Sequence, residues 1–293
     1  MLIKQDQVAY DWITEYFTDI NDIDKESDSF RYPFRIEYDK VFKKYSIHFL
    51  FEKQTQIDLV TFANKLELTL DLPTDLYNEN FGDNKSYKEY KPTFIEEGGN
   101  YYTQCVVGYS FSLEEFYLHV KAYTESARYL YNLITQEENL KDILFIPMCY
   151  LYKHGVELAL KEILFEEGEF SRQEALEIMY KKKHKLCGIW NHIKKEIEQH
   201  ANAPKEDTTI ESTEKYLIQL NNIDGAADKF RYPTDKFINY LYKRKKKYDI
   251  ENVSTFFSEL ISFFGAVNSM MSAHNDWKSE MESYYSDYQY DYY

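Results

Sequence analysis

One thirteen-residue pattern occurs twice in this chain. Positions 21 to 33 read N-D-I-D-K-E-S-D-S-F-R-Y-P and positions 221 to 233 read N-N-I-D-G-A-A-D-K-F-R-Y-P, eight identities at an offset of 200. The likeness extends outward. Tyr16, Phe17 and Ile20 precede the first copy as Tyr216, Leu217 and Leu220 precede the second, and each copy is followed by a polar stretch and a new apolar-periodic segment. Such a duplication commits the chain to one local unit used twice: helix, Asp turn, FRYP, basic or polar hairpin, helix. A residue before proline is pushed out of the helical region, so Tyr32 and Tyr232 are expected to be extended, with Arg31 and Arg231 in non-helical backbone. Arg231 is expected to pair with Asp224 or Asp228, and Phe230 to enter the core. A structural latch and a phosphate-binding arginine both fit that reading.

The rest of the second half reads as helices. Residues 112 to 135 carry Leu113, Phe116, Val120, Tyr123, Ala127, Leu130 and Ile134 at steps of three and four, with Ser112 and Glu115 forming a capping-box pattern. Residues 142 to 166 continue with Pro147 near the start, 171 to 180 open on Ser171 and Glu174, and 184 to 200, 213 to 220 and 254 to 272 complete a bundle of five or six helices. With only 9 Gly and 6 Pro in 293 residues, long elements are favoured over many turns. The division expected is 1 to 72 as an N-terminal half-repeat, 73 to 110 as a connector with a hairpin at 101 to 109, 111 to 278 as the bundle, and 279 to 293 as a mobile acidic tail rich in Tyr. A half-repeat of that size is expected to need another surface to close its core.

Charge narrows the partners. Lys and Arg number 35 against 50 Asp and Glu, a net charge of −15, which excludes a generally basic nucleic-acid coat. The basic residues gather in two runs, Lys181-Lys182-Lys183-His184-Lys185 and Lys243-Arg244-Lys245-Lys246-Lys247, flanked by Tyr180, Tyr240, Tyr242 and Tyr248. Lysines with interleaved aromatics suit phosphates and stacked bases, although a solvated surface needs no ligand. Three cysteines in odd number, 38 and 44 residues apart, fit neither a disulfide framework nor a zinc knuckle and point to a reducing cytoplasm. The longest nearly apolar run, 143 to 152, is short for a bilayer span, so no membrane partner is expected.

His154, Glu157 and Lys161 fall at i, i+3 and i+7, on one face of one helix. They form the candidate catalytic set: His154 beside Glu157 as general base for a ribose hydroxyl, and Lys161 as the charge that stabilises a phosphorane. The alternative is a polar network between helices. Gly155 between them costs about 0.5 to 1 kcal/mol relative to Ala, which calls for a close neighbour at that level. His184, His192 and His200 spiral by about 80° per step, so no metal site is expected, and without a glycine-rich phosphate loop no P-loop hydrolysis either. No cofactor is expected.

The helix Tyr150-x-x-x-His154-Gly155-x-Glu157-x-x-x-Lys161, the following His184-x-Leu186-x-x-x-Trp190, then Asp224-x-x-x-Asp228-x-Phe230-Arg231-Tyr232-Pro233 and a last amphipathic helix together resemble bacterial HEPN-like helical bundles. The resemblance covers about residues 112 to 275 with the half-unit at 12 to 72. It implies a mainly α fold, an up-down bundle of four or five helices that pairs as a homo-oligomer, and membership of toxin–antitoxin or phage-defence systems that bind or cut RNA. The family's nuclease signature, Arg followed four to six residues later by His, is missing after all six arginines. The resemblance therefore carries fold and pairing but not hydrolysis, and cutting would need an atypical site such as His154 and Glu157. RNA is expected on Lys181, Lys182, Lys183, Arg231 and the run Lys243, Arg244, Lys245, Lys246 and Lys247. The other expectation is a non-catalytic interaction module that holds a protein partner, an antitoxin or defence component, through its helical faces.

Overall fold

A computed structural model describes residues 7–27, 30–49, 51, 55–78, 86–108, 116–201, 203–224, 229–235, 237–242 and 247–290. The chain is mainly α, 68% helix, with eight helices and two small two-stranded sheets among the described residues. Two compact units emerge: Met1–Arg35 with Ile47–Glu114, and Ile36–Ser46 with Glu115–Tyr293.

In the first unit, α1 (Gln7–Ile23) buries Ala9, Trp12, Ile13 and Tyr16, a stripe at helical spacing. Trp12 stacks on Tyr16 at 5.2 Å between ring centroids and donates its indole N–H to the Tyr90 carbonyl at 2.8 Å. β3 (Thr55–Asp58) pairs antiparallel with β4 (Gln104–Val107), Thr55 opposite Val107 and Asp58 opposite Gln104. Asp58 then caps α2 (Leu59–Asn78) by accepting the Val60 N–H at 3.1 Å. The stretch expected as a connector is part of this core. Tyr87 and Phe94 are buried against Trp12 and Tyr16, and Asp19 accepts the Phe94 N–H at 2.6 Å. Lys65, fully buried, donates to the Thr93 carbonyl at 2.9 Å and to Glu96 at 2.7 Å. The strap from 86 to 96 thus supplies the apolar surface that α1 and α2 lack, and the unit has a core of its own. The expected hairpin at 101 to 109 does not form, because β4 takes β3 as its partner.

The second unit is built on α4 (Lys141–Glu162), which continues as a π-helical turn, Ile163–Glu167. From Met148 to Leu164 every residue of it is buried except Tyr150 and Leu151. α3 (Tyr117–Gln136) makes its most extensive contact, followed by α8 (Ile250–Tyr290). Gly155 explains how α3 comes so close: a Cβ there would stand 2.7 Å from the Thr124 methyl. α3 starts later than expected, after Phe116, whose N–H is taken by Glu166 at 2.8 Å; Ser112 and Glu115 lie outside the described residues. α5 (Arg172–Lys182) opens on the expected capping box of Ser171 and Glu174. α6 (Leu186–Ala201) buries Leu186, Ile189, Trp190, Ile193 and Ile197, and α7 (Thr209–Asp224) buries Leu217 and Leu220. The segment Glu138–Glu167 is long and apolar enough to cross a membrane by length and composition, but its apolar window is mostly buried in the bundle.

The tail departs from the sequence reading, and the repeat follows it. The tail is helical: α8 runs 41 residues to Tyr290. No Gly or Pro interrupts residues 266 to 290, so nothing in the chain stops the helix. The repeat keeps its order of elements, helix, Asp, FRYP, paired strands, helix, in both copies. The first hairpin is β1 (Arg35–Asp39) with β2 (Lys44–His48), and the second is a single bridge between Thr234 and Tyr240.

Candidate functional site

α4 places His154, Glu157 and Lys161 on one face, as their spacing requires, but that face points into the protein. They are 4%, 2% and 7% exposed. Lys161 Nζ donates to Glu157 Oε1 at 2.7 Å, and His184 Nδ1 stands 3.1 and 3.2 Å from the two oxygens of the same carboxylate. His154 lies between aromatic rings, Tyr123 edge-on at 4.4 Å and Tyr150 stacked at 5.9 Å. Burial, the largest single influence on Glu157, acts to raise its pKa. Lys161, then His184 through its hydrogen bond and charge, and His154 outweigh it and hold the carboxyl well below the usual range. The three expected residues are buried in α4 rather than lining an open cleft: Glu157 is engaged by Lys161 and by the part-exposed His184, and His154 packs between aromatic rings. A substrate phosphate would have to displace Lys161 or His184 to reach Glu157.

What the network anchors is the first basic run. α5 ends at Lys182, Lys183 takes a left-handed backbone (φ +50°), and His184 turns inward to Glu157. With the histidine pinned, Lys183 and Lys185 face solvent, Lys182 is half-buried, and exposed Lys181 pairs with Glu177 one turn back on α5.

The hairpin of the first repeat copy belongs to this second unit and meets α5. The side-chain amide of Gln173 clamps the Tyr45 backbone in the manner of a strand partner: it accepts the Tyr45 N–H at 2.9 Å and donates to the Tyr45 carbonyl at 2.9 Å. Tyr38, Tyr45 and Tyr180 then form a run of rings, 4.8 and 5.5 Å between successive centroids. Tyr38 and Tyr180 are exposed, and the Tyr45 hydroxyl is pushed above its ordinary pKa by desolvation first and the Glu177 carboxylate second. Lys40, Lys43 and Lys44 of the same hairpin are exposed. The result is a basic and aromatic surface whose parts lie about 130 residues apart in sequence. Tyr38, Tyr45 and Gln173 were not singled out by the sequence reading; the string KVFKKY carried the same lysine and aromatic mixture as the two runs that were.

Arg231 does not pair with Asp224. It lies over the Tyr232 ring at 4.9 Å and donates to the Tyr232 hydroxyl at 2.9 Å. Arg31 lies over Tyr32 in the same way at 5.4 Å. Asp224 is buried and taken by Lys153 of α4, 2.8 Å from Nζ to Oδ2, and by the Lys229 N–H at 2.8 Å. The buried lysine of α4 therefore satisfies the aspartate, and the arginine is left to stack at the surface. Lys243, Arg244, Lys245, Lys246 and Asp228 lie outside the described residues. Lys247 is exposed and, with Tyr131, Lys141, Phe145, Tyr248 and Glu251, lines an open cavity of about 770 Å³ in which Phe145 and Tyr248 stack at 5.5 Å. His184, His192 and His200 do not converge: His192 meets Phe170, and His200 lies tilted against His274 at 4.0 Å between ring centroids.

Comparison with protein-family models, curated proteins and solved structures gives no match.

Proposed function

We propose that the second unit is a HEPN-like bundle that binds RNA without cutting it, as part of a bacterial defence or toxin-type system. The observation that carries this reading is the run Tyr38, Tyr45 and Tyr180 beside the basic turn at 181 to 185. Exposed rings offer stacking faces to unpaired bases, and Lys183, Lys185 and Lys44 offer charge to the phosphates. The buried Glu157 network supports binding over catalysis, because Glu157 is engaged by Lys161 and by His184 of the turn, and His154 is packed between aromatic rings. Arg231 on Tyr232 and the run from Lys243 to Lys247 extend the basic character of the same unit. The test is fluorescence anisotropy with labelled single-stranded RNA over a salt titration. Affinity should fall steeply and linearly in log–log form as salt rises, and charge reversal at 183 and 185 should weaken it at every salt concentration.

The protein-partner reading has one observation in its favour. Between Asp276 and Tyr285 only Met281 is not exposed, and Trp277, Met281 and Tyr284 are spaced by four and three, as in a coiled-coil seam. Binding through that seam would hardly respond to salt, which separates it from RNA binding in the same titration.

A further inference from the structure

The two FRYP hairpins end in tips that share an Asp-anchored turn and an outward apolar pair. In the first, Asp39 Oδ1 accepts the N–H of Val41 at 2.7 Å and of Phe42 at 3.0 Å, and Lys43 closes the turn at φ +52°. In the second, Asp235 Oδ1 accepts the N–H of Phe237 at 2.8 Å and of Asn239 at 2.9 Å, and Ile238 sits at φ +65°. Each carboxylate is thus engaged by its own backbone, and each turn presents one Phe and one β-branched residue. Val41 and Phe42 are 82% and 74% exposed, Phe237 and Ile238 72% and 82%. An isoleucine in the left-handed region is a strained choice at a position where glycine or asparagine would sit without cost. Apolar side chains set outward on tightly tied turns mark a surface that meets something other than water.

Charge indicates what that is. Residues 35 to 48 hold four cations (Arg35, Lys40, Lys43, Lys44) against two acids, net +2. Residues 229 to 248 hold eight cations against Asp235 alone, net +7, in a chain whose total is −15. The two outward apolar tips therefore stand on basic stretches of an acidic protein. We propose that both tips insert into the interface of an anionic lipid bilayer, the apolar pair reaching the acyl boundary and the neighbouring lysines meeting the headgroup phosphates. Tyr240, 72% exposed beside the second tip, is the kind of amphipathic ring that sits at headgroup level. Lipid is favoured over RNA for the tips because Val41 and Ile238, the most exposed member of each pair, have no π face to stack on a base. This goes beyond the proposed RNA reading, which rests on Tyr38, Tyr45 and Tyr180, and it replaces the expectation of no membrane partner with a peripheral contact.

The experiment is flotation of the full chain with vesicles of phosphatidylcholine alone and of phosphatidylcholine with about one third phosphatidylglycerol. The expected result is binding to the anionic vesicles only, weakened by salt. The double substitutions Val41→Ser with Phe42→Ser, and Phe237→Ser with Ile238→Ser, should each lower partitioning about tenfold while thermal unfolding changes little, since the four side chains are 72 to 82% exposed. The single replacements Phe42→Trp and Phe237→Trp should add blue-shifted emission on vesicle addition, which reads insertion even if a double variant folds poorly. Equal binding to both vesicle types, no binding to either, or unshifted tryptophan emission would overturn the proposal. So would serine variants that lose RNA affinity or self-association while keeping vesicle binding, because the tips would then belong to RNA or to a second copy of the chain.

Discussion

His184 Nδ1 lies 3.1 Å from Glu157 Oε1, which ties a surface turn rich in lysine to the most buried helix of the protein. The pair makes one carboxylate serve two partners, the Lys161 ammonium within α4 and the His184 ring from the turn. Glu157→Gln should therefore do two things. It should lower stability in urea by about 3 kcal/mol, because buried Lys161 loses the charge of its Glu157 partner. It should also raise amide hydrogen exchange at 183 to 185 beyond the global change. Wild-type stability and protection would show that the pair holds nothing.

The same carboxylate sets an acid limb. Glu157 is held below its unfolded-state value, so its contribution to stability is fully present above about pH 4.5 and is lost as pH falls from there toward the folded-state value. The urea midpoint of the wild type should decline through that window, and the decline should be shallower in Glu157→Gln. Glu196, raised first of all by burial, acts in the opposite direction, and the difference between the two proteins removes it. Parallel curves for both proteins would refute the assignment.

Gly155→Ala tests the closeness of α3 and α4. On an isolated helix the change gains up to about 1 kcal/mol. Here the new methyl meets Thr124, so a net loss of about 1 to 3 kcal/mol is expected. Thr124→Ser removes the obstructing methyl and keeps the hydroxyl that donates to the Val120 carbonyl, so the double variant should recover most of the loss. No recovery in thermal unfolding would place the strain elsewhere.

Gln173→Ala removes the clamp on Tyr45 and leaves every lysine and tyrosine in place. Stability should fall by about 1 kcal/mol, while RNA affinity in anisotropy should fall several-fold through lost order in the tyrosine run. An unchanged affinity would mean that the run is not part of the RNA surface.

Local signals were legible in the sequence and long-range ones were not. The Ser171 and Glu174 cap, the close approach at Gly155 and the helical periodicity of the second half each follow from residues a turn or two apart, where periodicity and capping chemistry act. Spacing also put His154, Glu157 and Lys161 on one face, but it could not say whether that face met water, and burial turned a candidate site into an anchor. His184 lies 27 residues from Glu157 and Gln173 lies 128 from Tyr45, distances over which no helical or strand period survives. The helix in the tail was not legible for a different reason: alternating Tyr and acid suggested a chain without anchors, whereas the absence of any breaker lets α8 propagate as far as Tyr290.

The proposed RNA surface is made by the hairpin of β1 and β2 and the turn after α5. Photocrosslinking of the full protein to single-stranded RNA containing 4-thiouridine, followed by mass spectrometric mapping, reads that location directly. Crosslinks at Tyr38, Tyr45 or Tyr180 are the predicted result, and they should vanish with Lys183→Glu and Lys185→Glu. Crosslinks confined to residues 1 to 35 and 47 to 114, or none under conditions where RNA is in excess, would contradict it.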